Sequence, residues 1–196
     1  AMTEKGNFLE VVLATGFSEE AQAVFQERPG WGQSVRLLEA ALSPRAAYPT
    51  VRAVRGGALV QDSDEDPGTK WRVVSQCQPT EEQMKALRLA WSIVPHVKSN
   101  AIVVCSANRL LGVGAGQMNR VQSVRLALGQ AGVLARGAAL ASDAFFPFPD
   151  SVETAAEAGI GCVVQPGGSK KDGEVIEAAD RLCIPMVFTG VRHFRH

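Results

Sequence analysis

Apolar and polar positions follow two rhythms along this chain. Short apolar runs, the pattern of strands buried on both faces, occur at 8–13 (broken only by Glu10), 101–105, 138–141, 160–164 and 185–188. Between them apolar residues recur at helical spacing. Ala21, Val24 and Phe25 share one helix face, Met84, Leu87, Trp91 and Val94 a second, and Val121, Val124 and Leu128 a third. Ser18 is placed to cap the first helix, and Pro29-Gly30 ends it. Thr80-Glu81-Glu82-Gln83 is a capping box, in which hydroxyl and amide satisfy each other's backbone donors; Pro95 closes that helix. Further helices are predicted over 152–158 and 172–182. Short strands are expected at 35–38 and 71–75, and 50–61 reads as two strands hinged at Gly56-Gly57. Leu110 to Val113 turns back on 101–105 across Asn108-Arg109. The second half is βαβαβ with apolar strands, so a largely parallel sheet covered by helices is expected, as one α/β domain over 1–196.

Composition narrows the function classes. Lys plus Arg number 20 and Asp plus Glu 20, so no electrostatic argument favours nucleic acid or a membrane surface. Cys77, Cys105, Cys162 and Cys183 are scattered without a CxxC pair, and three of them lie in apolar runs. They read as reduced core thiols, and with no membrane-length apolar run the expectation is a soluble cytoplasmic protein. The acidic Pro/Gly segment Asp62 to Lys70 is the one expected to move most.

Candidate chemistry gathers in loops. Phe145, Phe146 and Phe148 alternate with Pro147 and Pro149 in a run closed by Asp143 and Asp150. Two prolines exclude a core strand, and three phenylalanines do not suit open surface, so a stiff apolar loop is expected. Asp150 or Ser151 would cap a helix opening at Val152-Glu153. Such a loop suits a flat anionic ligand, with apolar faces for a ring and free N–H groups for charge; packing on the core alone is the other reading. Gly112 to Arg120 offers small residues at a helix start expected near Gly114-Ala115-Gly116. It suits either an anion or close helix–strand contact. Gln165 to Asp172 repeats the strand, Gly-rich turn and helix. Asn100, in Lys98-Ser99-Asn100, either closes a turn or faces a ligand. Arg192, in the terminal run Thr189 to His196, suits a phosphate. In a parallel sheet these loops collect beyond the carboxyl ends of the strands, as a site for a phosphorylated planar heterocycle.

Five motifs carry a closer resemblance: SNAIVV, GVGAGQMNRVQSVRLA, ASDAFFPFPDSVETAAEAGI, QPGGSKKDGEVIEAAD and VFTGVRHFRH. Together they resemble the C-terminal part of AICAR transformylase, the formyltransferase portion of the bifunctional purine-biosynthesis enzyme that also carries IMP cyclohydrolase. Upstream, FLEVVLATGFSEEA, LVQD and HVKSN fit more loosely. The resemblance implies a cytidine-deaminase-like, three-layer α/β/α fold with a mostly parallel mixed sheet. It implies formyl transfer from 10-formyltetrahydrofolate to AICAR, in which Asn100, Arg120, Phe145 and Arg192 contact AICAR. Pro147, Asp150 and Ser169 would lie toward the folate, while Asn100 and His196 would serve catalysis, His196 by supporting the catalytic histidine. No metal is implied, because the H-x-E and P-C-x-x-C ligands of zinc deaminases do not occur. The family's adjacent Lys-His pair is not among these 196 residues, and neither is the cyclohydrolase domain. The resemblance therefore implies a homodimer, or a complex with a separately encoded N-terminal half that completes the site. The alternative is a catalytically impaired, regulatory AICAR- or folate-binding homologue.

Overall fold

The computed structural model describes residues 8–41, 48–65, 68 and 70–196. The structure contains two compact units, Ala1–Ser63 and Asp64–His196. Of the acidic stretch 62–70, residues 66, 67 and 69 lie outside the described residues.

In the first unit β1 (Val11–Ala14) and β2 (Arg36–Glu39) pair in parallel around α1 (Glu19–Gln26). The Ser18 hydroxyl accepts from the Ala21 N–H as the cap expected there. Of the apolar face of α1 only Phe25 is buried; Val24 is exposed. Phe25 packs near Phe17 and Trp31 in a small aromatic cluster. The expected hinge is an antiparallel hairpin of β3 (Thr50–Val54) and β4 (Gly57–Gln61), turning at Gly56 with a φ of 87°.

The second unit is built on one six-stranded mixed sheet. In chain order its elements are β5 (Arg72–Val73), α2 (Glu81–Ile93), β6 (Ile102–Cys105), β7 (Leu110–Gly114) and α3 (Arg120–Ala131), followed by β8 (Ala139–Ser142), α4 (Asp150–Glu157), β9 (Cys162–Gln165), α5 (Asp172–Arg181) and β10 (Met186–Phe188). The strand order is β5-β10-β9-β8-β6-β7. β8, β9 and β10 are parallel neighbours, while β6 runs against both β7 and β8, and β5 against β10. Four strands thus point one way and two the other.

Successive residues of β6 point to opposite faces, as strand geometry requires. Ile102 and Val104 join a core with Val124, Val152, Val175 and Phe146, so α3, α4 and α5 pack on that face. Val103 and Cys105 join Leu87 and Trp91 of α2, and Val94 just after it, on the other. The capping box forms as read: the Thr80 hydroxyl accepts from the Gln83 N–H at 3.2 Å, and the Gln83 side chain accepts from the Thr80 N–H at 2.8 Å. Gln83 also donates to the Gly161 carbonyl at 2.9 Å, which ties the start of α2 to the start of β9.

Two helix starts differ from expectation. The third helix does not open at Gly114-Ala115-Gly116: Gly114 ends β7, and α3 begins at Arg120 because the Asn119 side chain caps it through the Val121 N–H at 3.0 Å. The fourth opens at Asp150, two residues before Val152. The Pro149 carbonyl already accepts from Val152 and Glu153 at 2.9 and 3.0 Å, so neither Asp150 nor Ser151 is the cap.

Candidate functional site

Register decides where the loops go. Ser142 at the end of β8 and Gly114 at the end of β7 both pair with Ile102 at the start of β6, and Phe188 at the end of β10 pairs with Arg72 at the start of β5. One edge of the sheet therefore receives the loops after β7, β8, β9 and β10 and the chain entering β5 and β6. All eight candidates, Asn100, Arg120, Phe145, Pro147, Asp150, Ser169, Arg192 and His196, lie on segments at that edge. The starts of α3, α4 and α5 lie there too.

At the centre is a buried polar hub. Arg120, one residue past its Asn119 cap, lays Nη1 on the Asp143 carboxylate and on the Ser142 hydroxyl, the latter at 2.9 Å. Its Nη2 donates to Oδ1 of Asn100 at 2.8 Å. The Asn100 amide donates to the Gln117 carbonyl at 2.8 Å, and the Ser123 hydroxyl donates to the Asn100 carbonyl at 2.8 Å. The second Asp143 oxygen accepts from the Ser99 hydroxyl at 2.6 Å. Arg120 and Asp143 are both buried, and a buried charge pair persists only when its remaining polar atoms are satisfied, as they are here. The hub fixes the orientation of Asn100 at the site edge.

The glycines before the hub have a packing reason. A Cβ on Gly112 would lie 2.0 Å from the Ala127 carbonyl oxygen, and one on Gly114 would lie 1.9 Å from that of Ser123. Close approach of α3 to β7 uses these residues, which brings Arg120 against β6 and β8; of the two readings of the run, helix–strand contact is the one realised. The Gly-rich turn after β9 is also committed internally. Asp172 accepts from the Gly168 N–H at 2.7 Å and the Ser169 N–H at 3.1 Å, so a side-chain carboxylate occupies the place an anion would take.

The aromatic loop divides its three rings. Phe146 is buried and its N–H donates to the Gln165 side chain at 3.0 Å; Phe145 is half-buried; Phe148 is exposed. Lys171 sits 4.7 Å from the Phe148 ring centre, which links the loops after β8 and β9 through a cation–π contact. Pro147 is half-buried, and the exposed Asp150 accepts from the Ser151 N–H at 2.7 Å.

The last segment forms an ordered arm. Thr189 and Gly190 donate to the carbonyls of Gln165 and Pro166, both at 3.0 Å. His193 donates its N–H to the Asp143 carbonyl at 2.9 Å, and Ser99 exchanges two bonds with Arg195. Outside, the Arg192 guanidinium lies 5.3 Å over the Phe194 ring, and His196 stacks on the same ring at 5.8 Å. Inside, the His193 ring is buried 4.9 Å from Trp91, with Nδ1 2.8 Å from Asp64.

Asn100 and Arg120 are thus in direct contact, and Arg192 and His196 meet through Phe194. Phe145, Pro147, Asp150 and Ser169 share the edge on neighbouring loops. Sequence reasoning passed over Ser99, Asp143, His193 and Asp64 as site residues. The available signals were an acid directly after an apolar strand and a terminal histidine between an arginine and a phenylalanine. Among the described residues no group of three or more His, Cys, Asp or Glu side chains is gathered as metal ligands would be. No helix among them is long and apolar enough to cross a membrane.

Comparison with known proteins gives the chain a family. The family described as "AICARFT/IMPCHase bienzyme" matches residues 1–130. The "Bifunctional purine biosynthesis protein PurH" of Desulfitobacterium hafniense is 54% identical over 200 residues, covering 100% of this chain and 38% of that protein. Its counterpart in Shouchella clausii is 52% identical over 192 residues, covering 96% and 37%. The chain therefore spans less than two fifths of the length of these relatives. A solved structure, Acinetobacter baumannii RibD, aligns with 55% of this chain and 34% of its own at 18% identity and a TM-score of 0.38, too distant to bear on the fold. The chain belongs to the AICARFT/IMPCHase bienzyme family.

Proposed function

We propose that this chain is the C-terminal part of an AICAR transformylase, with the three-layer, cytidine-deaminase-like fold of that enzyme, working in purine biosynthesis in the cytoplasm. The single observation that carries the reading is the convergence on one sheet edge of an oriented amide, an exposed arginine and an aromatic loop. Asn100 is held by Arg120, Arg192 stands on the terminal arm, and Phe145 lies on the loop between them in the sheet order. A planar heterocycle with a phosphate tail needs those three groups.

In the reaction the 5-amino group of AICAR attacks the formyl carbon of 10-formyltetrahydrofolate. A C–N bond forms, the bond from the formyl carbon to N10 breaks, the amine loses a proton and N10 gains one. Arg192 binds the phosphate, Phe145 flanks the imidazole, and Asn100 holds the substrate's polar edge. Pro147, Asp150 and Ser169 border the folate. Proton transfer by a positioned side chain contributes roughly 10²–10⁴-fold. His196 supports that step, and the Lys-His pair is supplied by a segment outside these 196 residues, with the protein working as a homodimer or with a complementing N-terminal half. The names of the relatives do not favour the non-catalytic alternative.

The test is formyl transfer from 10-formyltetrahydrofolate to AICAR, with AICAR binding followed by calorimetry. Binding by this chain with poor turnover, restored by a segment bearing Lys-His, supports the reading. Arg192→Ala is expected to weaken AICAR more than folate. Absence of AICAR binding overturns it.

A further inference from the structure

We propose that His193, held by Asp64, is a positioning residue that sets the terminal arm so that Arg192 faces the phosphate of the substrate. The inference rests on the reading of Arg192 above and adds to it the residue that makes Arg192 competent.

From Arg192 to His196 only position 193 is buried. Its neighbours on both sides point outward, and Arg192, Phe194 and His196 form one stacked series along the outside. His193 is the peg on the inside of that series. It is fixed from three directions: Nδ1 meets Asp64, the ring lies against Trp91, and the backbone N–H donates to the carbonyl of Asp143. The carboxylate of that same Asp143 holds Arg120 and Ser99, and Ser99 holds Arg195. Arm and hub are therefore one hydrogen-bonded unit, with His193 at the joint.

A residue needed only for packing would be apolar here. The imidazole instead buries Nε2 with no hydrogen-bond partner among the described residues. Burying a polar atom without a partner is unfavourable. What the ring provides in exchange is direction: with a carboxylate opposite, Nδ1 bears the hydrogen, and the ring plane is set by the Asp64 bond. An aliphatic side chain would fill the space but lose the Asp64 bond, leaving the direction of the arm at this position to its backbone bonds alone.

The experiment uses the native protein with His193→Ala, His193→Asn and Asp64→Ala. Asn is the conservative variant, since its amide stands where Nδ1 stood. Two quantities are read: amide hydrogen exchange across 191–196, and the ratio of affinities for AICAR and its phosphate-free nucleoside. In His193→Ala the arm amides are expected to exchange about tenfold faster, and the nucleotide-to-nucleoside ratio to fall about tenfold, with nucleoside affinity little changed. His193→Asn should recover most of both. Unchanged arm exchange overturns the proposal, and so does a loosened arm with an unchanged ratio. A wild-type protein that shows no preference for the nucleotide overturns the reading of Arg192 itself, a distinct result from a variant that fails to change it. If His193→Ala does not fold, Asp64→Ala, which leaves ring and packing in place, decides by the same two readouts.

Discussion

Arg120 and Arg192 stand at the same edge of one sheet and are built for opposite purposes. Arg120 is buried, its guanidinium shared among Asp143, Ser142 and Asn100. Arg192 is exposed, resting on Phe194. One is part of the fold and holds the side chain of Asn100. The other leaves its guanidinium exposed at the sheet edge, where the reading proposed above gives it a phosphate. Burial and hydrogen-bond partners separate the roles of two residues that a motif alone treats alike.

Asp143→Ala should test the buried side of the contrast most severely. It strands the Arg120 charge, and removing one member of a buried pair typically costs about 3–5 kcal/mol. Urea unfolding should show that loss, together with lost AICAR binding; a loss under 1 kcal/mol would mean the hub is not structural. Gly114→Ala attacks the same hub from the backbone, since its Cβ would strike the Ser123 carbonyl. A destabilisation of about 1–3 kcal/mol is expected from the forced shift of α3. Arg192→Ala should leave the urea midpoint within about 0.5 kcal/mol of wild type. By calorimetry it should nevertheless lower AICAR affinity roughly tenfold or more, the worth of a charge-assisted hydrogen bond; an equal loss for the nucleoside would break the comparison.

The smallest effect contrasts buried and exposed thiols. Burial pushes the Cys162 thiol up to about 12 and that of Cys105 up to about 11, from an ordinary 9.0. Above pH 9 the unfolded chain releases protons that the folded chain keeps, so stability is full below that pH and falls as pH rises. For Cys162 the loss should reach about 1 kcal/mol by pH 10. Urea midpoints at pH 8 and 10 measure it, and Cys162→Ala should show a smaller drop. Alkylation of the native protein should reach the exposed Cys183 first and these two last.

The elements of the larger unit were largely legible because its strands are continuous apolar runs and its helices keep a clean period. The capping box at Thr80 and Gln83 was readable because its chemistry is local. What escaped was set at a distance. Asn119 as the cap of α3 was masked by three nearby glycines, whose role depends on how closely a helix passes behind β7. Asp143 could be seen as an acid beside an aromatic loop, but its partners Arg120 and Ser99 lie 23 and 44 residues away. His193 and Asp64 are 129 residues apart, on the segments that leave β10 and enter β5, two antiparallel neighbours. The resemblance supplied names for residues of this edge, the buried Arg120 among them. It was silent on Ser99, Asp143, His193 and Asp64, which tie the hub and the arm together.

Since every candidate residue lies at one edge of the sheet, the other edge is open ground for protein engineering. There the chain turns at Asn108-Arg109, both exposed, with the Ser106 N–H and hydroxyl donating to the Arg109 carbonyl at 2.9 and 3.5 Å. A fluorescent reporter, an affinity handle or a surface anchor grafted between Asn108 and Arg109 would sit a full strand length from Asn100. The larger unit thus comes with a handle end and a working end, and the hairpin turn marks where to grip it.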